Sequence, residues 1–227
     1  MNRPLVIAHR GASGYEYQNS LAAFRAARAL DADAVELDVH ASTDGEIFVH
    51  HDENLDVTRF IPRMTGAQVR ACRLQNGEPV PTLAEALDAA GPLQVFVEVK
   101  TLPPRYDARL LEILAAGPNP GGYAVHAFDH RIVRRLGEAR PSLTRGILTA
   151  SYAIHPLADL EDAGASILWQ DRGMVDEALV RLLHQARRRL FVWTVDQPDE
   201  MRRLVDVGVD GLCTDLPDRA RAVVEAR

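Results

Sequence analysis

Residues 34–39 read Ala34-Val35-Glu36-Leu37-Asp38-Val39, and residues 95–100 read Val95-Phe96-Val97-Glu98-Val99-Lys100. Side chains alternate faces along a strand, so residues of one parity share a side. The odd positions, Val35, Leu37 and Val39 with Val95, Val97 and Val99, make an apolar row suited to packing under helices. The even positions put Glu36 and Asp38, then Glu98 and Lys100, on the opposite side. Charged residues inside an otherwise apolar strand are rarely buried for stability alone.

Working outward, further short apolar runs lie at 5–8, 123–126, 144–148, 166–169, 190–195 and 210–214, with helix-length amphipathic stretches between them. Asn19 is expected to cap a helix beginning Leu21-Ala22-Ala23-Phe24, and Thr82-Leu83-Ala84-Glu85 has the spacing of a capping box. A further helix starts at Asp196-Gln197-Pro198 and ends before Gly208. Strand–helix alternation argues for parallel β/α units. Eight such strands in 227 residues fit a closed (β/α)8 TIM barrel better than the other arrangement the alternation permits, an open doubly wound sheet.

One segment breaks the alternation. Asp44-Gly45 between two extended runs is a hairpin signal, so residues 46–51 are expected to fold back on 35–40 and bring His51 near Asp38. Residues 52–80 hold no clean period and read as a short insertion after the second strand, closing at Pro79-Val80-Pro81. No linker, internal repeat or second core is evident, so residues 1–227 are read as one barrel domain.

Composition narrows the class. With 47% hydrophobic and 26% charged residues the chain is ordinary globular protein, and a net charge of −6 provides no basic face for nucleic acid. No apolar run approaches the roughly 18 residues of a membrane span, so no stable membrane insertion is expected. Cys72 and Cys213 are too few for a disulfide framework and read as free, partly buried thiols. The apolar run after Met1-Asn2-Arg3-Pro4 is shorter than a signal-peptide core, so a cytoplasmic protein is expected.

In parallel β/α folds the functional groups sit at the C-terminal ends of strands. Glu36, Asp38 and Glu98 therefore converge on one mouth. Two like charges about 4 Å apart repel by roughly 4 kcal/mol at an effective dielectric of about 20, which a proton or a cation must offset. All-oxygen ligands favour a hard divalent ion, Mg²⁺ or Ca²⁺; the plainer alternative pairs each carboxylate with a nearby base, such as Glu98 with Lys100. Among the eight histidines, His9 and His51 fall at strand ends beside the acidic cluster. Two imidazoles, one neutral and one protonated, suit general acid–base cleavage. Arg10 adds a fixed cation able to hold a phosphate oxygen. A cation, an arginine, a lysine and two histidines together suit a phosphate ester.

The ordered motifs resemble the glycerophosphodiester phosphodiesterases. They are His9-Arg10-Gly11, Asn19-Ser20-Leu21, Glu36-Leu37-Asp38, Asp44-Gly45-Glu46, His50-His51-Asp52, Pro81-Thr82-Leu83, Glu98-Val99-Lys100, Ala127-Phe128-Asp129, Trp193-Thr194-Val195-Asp196 and Gly208-Val209-Asp210-Gly211 through Pro217. The resemblance covers nearly the whole chain. It implies a barrel that hydrolyses glycerophosphodiesters to glycerol 3-phosphate and an alcohol. It also implies metal ligands Glu36, Asp38 and Glu98, an acid–base pair His9 and His51, and phosphate-holding Arg10 and Lys100. His50 falls at a variable position of the pattern, so the role goes to His51. The attacking group is water or the neighbouring glycerol hydroxyl, the latter giving a cyclic phosphate first. The partner implied is a small-molecule substrate, with the protein a monomer or homodimer. The chain departs from the pattern at Tyr17-Gln18-Asn19, where Pro-Glu-Asn is usual and Gln18 removes a charge. It departs again at Ser42-Thr43 in the hairpin and at Val57-Thr58-Arg59, where Arg-Thr-Thr is usual.

Two other functions fit less of the sequence. A lysophospholipid-cleaving barrel would want apolar residues at the mouth, with Tyr15, Tyr17, Phe60 and Ile61 as candidates. A non-catalytic phosphodiester-binding barrel would lack one of the reacting groups. Trp193 is read equally as barrel packing and as a substrate contact. Asp210 and Asp215 read as loop ties, Arg187-Arg188-Arg189 as a solvated helix end, and Cys213 as a core residue.

Overall fold

A computed structural model describes residues 3–226. Met1 and Asn2, on which the expectation about the N-terminus rests, lie outside the described residues. Among the described residues the strands are β1 (Leu5–Ala8), β2 (Ala34–Ala41), β3 (Ile47–Val49), β4 (Gln94–Thr101), β5 (Tyr123–Ala127), β6 (Thr144–Thr149), β7 (Ile167–Asp171), β8 (Arg189–Trp193) and β9 (Gly211–Thr214). The sheet runs β1-β9-β8-β7-β6-β5-β4-β2, all parallel, and β1 also pairs with β2, which closes it. The expected (β/α)8 barrel is thus present and the open sheet is excluded.

The helices are α1 (Leu21–Ala29), α2 (Gly66–Arg70), α3 (Leu83–Ala90), α4 (Asp107–Ala116), α5 (His130–Ala139), α6 (Pro156–Ala163), α7 (Glu177–Gln185), α8 (Pro198–Val207) and α9 (Pro217–Glu225). Parity divides the core as the sequence suggests. Val35, Leu37, Val39, Val95, Val97, Val99 and Val125 belong to the large cluster shared with the helices. Ile7, Ala34, Phe96, Ala124, Leu148, Ile167, Trp169, Phe191 and Cys213 fill the barrel interior. Phe96, Trp169 and Phe191 meet edge-on there, with centroids 5.1 to 5.3 Å apart. Such arrangements favour the aromatic quadrupoles. The charged residues of β2 and β4 stand above this plug.

The hairpin forms, with a different register. β3 pairs antiparallel with residues 39–41 of β2 rather than with 35–40. Lower down, both edges of β2 are occupied, by β4 along most of its length and by β1 through Val35. Only the upper part has a free edge for β3. The amide of His50 still donates to the Asp38 carbonyl at 3.0 Å, which carries the chain up to His51.

The segment after the hairpin is more ordered than its sequence suggests. Thr65 and Gln68 form a capping box around α2. Phe48, Ile61, Val69, Cys72, Leu74 and Val80 make a small apolar cluster of their own under this excursion. Two other expectations change. The cap of α1 is Ser20, whose hydroxyl accepts from the Ala23 amide. Asn19 instead adopts φ +56° and turns its amide toward Asp38. Arg187 has φ +56°, and Arg189 opens β8 with its guanidinium over the Phe191 ring, so the arginine run is not wholly a solvated helix end. No helix among the described residues is long and apolar enough to cross a membrane.

Candidate active site

The C-terminal mouth of the barrel holds a cavity of about 70 Å³ lined by residues of seven strands, β2 and β4 to β9, and of the loops after β1, β3 and β5. His9, Arg10, Glu36, His51, Glu98, Lys100 and Trp193 all reach it. Of the residues expected at the site, only Asp38 is missing from its lining. Asp38 lies beneath, 1% exposed, where Arg10 Nε and Lys100 Nζ approach its carboxylate at 3.2 and 3.1 Å.

Arg10 owes its position to the turn that ends β1. Arg10 and Gly11 both have left-handed backbone, with φ of +56° and +81°. A Cβ on Gly11 would lie 2.6 Å from the Ala23 carbonyl carbon, so only glycine lets the chain reverse so close to α1. The turn also aims the Arg10 amide at Glu36 Oε2, 3.2 Å away. Gln18, where the pattern has glutamate, accepts from Arg10 Nη1 at 2.5 Å. A neutral amide here braces the guanidinium without pairing its charge.

Three carboxylates face two cations. Lys100 Nζ lies 2.7 Å from Glu98 Oε1, so the simple pairing expected as the plainer alternative does exist. It leaves Glu36 over. Among the described residues, the buried Glu36 Oε1 has no hydrogen-bond partner, and the same holds for Asp38 Oδ1 and Arg10 Nε, whose ion-pair contacts lack hydrogen-bond alignment. Orphaned buried polar atoms are costly and rare. Burial, then the charges of Asp38 and Glu98, raise the Glu36 carboxyl well above the usual range. Burial and Asp38 push Glu98 up to about 7 despite Lys100. Burial would raise Asp38 as well, but Lys100, Arg10 and Asn19 bring it down to about 2. Acids driven apart in this way are found most often at functional sites.

The two histidines are built alike. His9 Nδ1 lies 2.7 Å from Asp215 Oδ1, which also accepts from Ser13 Oγ. His51 Nδ1 lies 2.8 Å from Asp52 Oδ1. With Nδ1 engaged by a carboxylate, each ring is oriented and leaves Nε2 for chemistry. Burial lowers the His51 imidazole below its ordinary value, with Arg10 and Lys100 adding to that effect and Asp38 and Asp52 opposing it. His40 is buried beneath and its Nε2 meets the His51 carbonyl at 3.1 Å, which fixes the backbone of the second histidine. His50 points elsewhere, its Nδ1 on the Asp52 carbonyl.

Two groups escaped the sequence reading. Asp215 does more than tie a loop, because it holds His9. The Asp196 carboxylate in turn accepts from the Asp215 amide and Thr214 hydroxyl. His126, on β5, is buried and lines the cavity, register partner of Glu98. The parity rule would have found it, since Tyr123, Val125 and Ala127 face the helices and Ala124 and His126 the axis. Of the apolar candidates, Ile61 is buried, Tyr17 packs on the small cluster and Tyr15 bonds Asp218. The aromatic pair at the mouth is Phe128 and Trp193, edge-on at 5.7 Å.

The Oleispira antarctica phosphodiesterase solved with the product sn-glycerol-3-phosphate superposes with a TM-score of 0.91, at 22% identity over 98% of this chain and 97% of that one. A glycerophosphodiester phosphodiesterase from Parabacteroides distasonis gives 0.90, at 24% identity over 100% and 98%. These likenesses establish the fold. A glycerophosphodiester phosphodiesterase of Caldanaerobacter subterraneus is 31% identical over 95% of this chain and 96% of its own length. The sequence profile of the glycerophosphoryl diester phosphodiesterase family matches residues 9–219. The chain therefore belongs to the glycerophosphoryl diester phosphodiesterase family, a family of phosphoric diester hydrolases.

Proposed function

We propose that this protein cleaves glycerophosphodiesters to glycerol 3-phosphate and an alcohol, as one barrel unit carrying a small insertion at 52–80. The observation that carries the reading is the pair of carboxylate-braced histidines, His9 and His51, opening onto one cavity with Arg10 and Lys100. Glu36, Asp38 and Glu98 suit a divalent cation, because three buried acids outnumber their cations and Glu36 Oε1 has no hydrogen-bond partner among the described residues. A bound cation supplies charge stabilisation for the phosphoryl oxygens.

The chain's own groups do the rest. Arg10 and Lys100 sit in ion-pair contact with Asp38 and turn the remaining charge toward an anionic oxygen. One histidine takes the proton of the attacking hydroxyl at Nε2, and the other gives a proton to the departing alkoxide. Trp193 and Phe128 form an apolar wall for the carbon part of the substrate.

A second reading, cleavage of lysophospholipids, draws support from the opposite rim. Phe128, Tyr152, Ile154 and Met174 follow β5, β6 and β7 and are 49%, 43%, 90% and 41% exposed. One assay separates the two. Glycerophosphocholine and lysophosphatidylcholine are offered to the protein with and without a chelator, and glycerol 3-phosphate and lysophosphatidate are measured. Cation-dependent release of glycerol 3-phosphate is expected. Binding without release of either product overturns the enzymatic reading, and full turnover after chelation overturns the cation.

A further inference from the structure

His126 plays no part in the reaction described above, yet it has the surroundings of a ligand. It is 1% exposed and register partner of Glu98 across β4 and β5. Its Nε2 lies 3.9 Å from Glu36 Oε1, too far for a hydrogen bond. Ligand atoms of Glu36, Glu98 and His126 all fall within 4.8 Å of one another. Two atoms bound to one ion at about 2.1 Å each lie at most about 4.2 Å apart, so a small inward movement brings all three into range. The ring is held in plane by stacking on Trp169, with centroids 4.3 Å apart and planes at 14°. Among the described residues, the buried Glu36 Oε1 and His126 Nδ1 have no hydrogen-bond partner, while Glu98 Oε1 is held by Lys100 Nζ at 2.7 Å.

We propose that His126 adds a nitrogen ligand to the cation held by Glu36 and Glu98. The inference rests on the cation reading above and extends it to the identity of the ion. Imidazole suits borderline first-row ions, whereas Ca²⁺ and Mg²⁺ prefer oxygen throughout. The site then prefers Mn²⁺ or Co²⁺ to Ca²⁺, a bias that three carboxylates alone would not create. Asp38, held by Arg10, Lys100 and Asn19, is left as the weakest of the acid ligands.

The test reads the metal directly. The purified protein is loaded with Mn²⁺ and examined by pulsed electron paramagnetic resonance, alone and as His126→Ala and His51→Ala. A directly bonded nitrogen coupling is expected in the parent and in His51→Ala, and its loss in His126→Ala. In titration calorimetry, His126→Ala should weaken Co²⁺ at least 10-fold while Ca²⁺ changes less than 3-fold. If Mn²⁺ binds and the parent shows no nitrogen coupling, the His126 assignment is wrong and the cation reading stands. Equal losses for Co²⁺ and Ca²⁺ also overturn it. If the parent binds no divalent ion, both fall. The parent spectrum decides even where the alanine variant folds poorly.

Discussion

His9 and His51 differ in how their carboxylates are held, and the difference sets what each substitution should do. Replacing either histidine by asparagine removes a proton-transfer group and should lower kcat by about 10²- to 10⁴-fold with a smaller change in KM. Steady-state rates on glycerophosphocholine check this, and a loss confined to KM would remove the histidine from the chemistry. Asp52 is exposed, and its bond raises the His51 imidazole against the lowering by burial. Asp52→Asn should therefore move the limb of the pH–kcat profile that belongs to His51 to lower pH. An unmoved or raised limb would show that the profile reports another group. Asp215 is different, because its loop is fastened through Asp196 and Ser13. Asp215→Asn leaves the ring tethered in the wrong tautomer, so kcat should fall while KM holds.

At the scale of elements, the turn after β1 and the cap of α3 fix the two walls of the mouth. Thr82 accepts from the Glu85 amide while Glu85 reaches back to the Thr82 amide and hydroxyl, and Thr82 also bridges to Phe48 on the hairpin. Thr82→Ala should cost about 1 kcal/mol, read as a lower urea midpoint with unchanged kcat. A larger loss would mean that the hairpin is pinned through this residue. The strand positions were legible from alternation, and parity alone placed Glu36, Glu98 and Lys100 on the axis. The residue type of Asn19 suits a cap as well as a left-handed turn, and only the fold decides between them. The role of Asp215 is not legible locally, because its partner His9 is 206 residues away, beyond any local pattern. The excursion after the hairpin gave no period because its order comes from one short capped helix and a six-residue cluster.

Over the whole molecule, the barrel must be locked where β1 meets β2. Asp33, just before β2, does much of this. Its carboxylate accepts from Arg3 at 2.8 Å and from the Val6 amide at 2.8 Å, and it pairs with Arg221 of α9 at 2.9 Å. One side chain thus ties β1, β2 and the last helix together. Burial would raise the Asp33 carboxyl, but the hydrogen bonds from Arg3, Val6 and Arg221 outweigh it and hold the group below the usual 3.8. A group depressed in the folded state stabilises above its unfolded value and loses that contribution as pH falls through the folded one. Asp33→Asn keeps the shape but removes the charge, and hydrogen bonds to charged groups contribute about 1.5 to 3 kcal/mol each. The variant should therefore unfold at lower urea than the parent at pH 7, by about 2 kcal/mol. The gap should narrow steadily below about pH 4, where the parent carboxylate is itself titrated. A gap that stays constant down to pH 3 would mean that Asp33 acts through shape and neutral hydrogen bonds alone, and that the closure of the barrel does not depend on its charge.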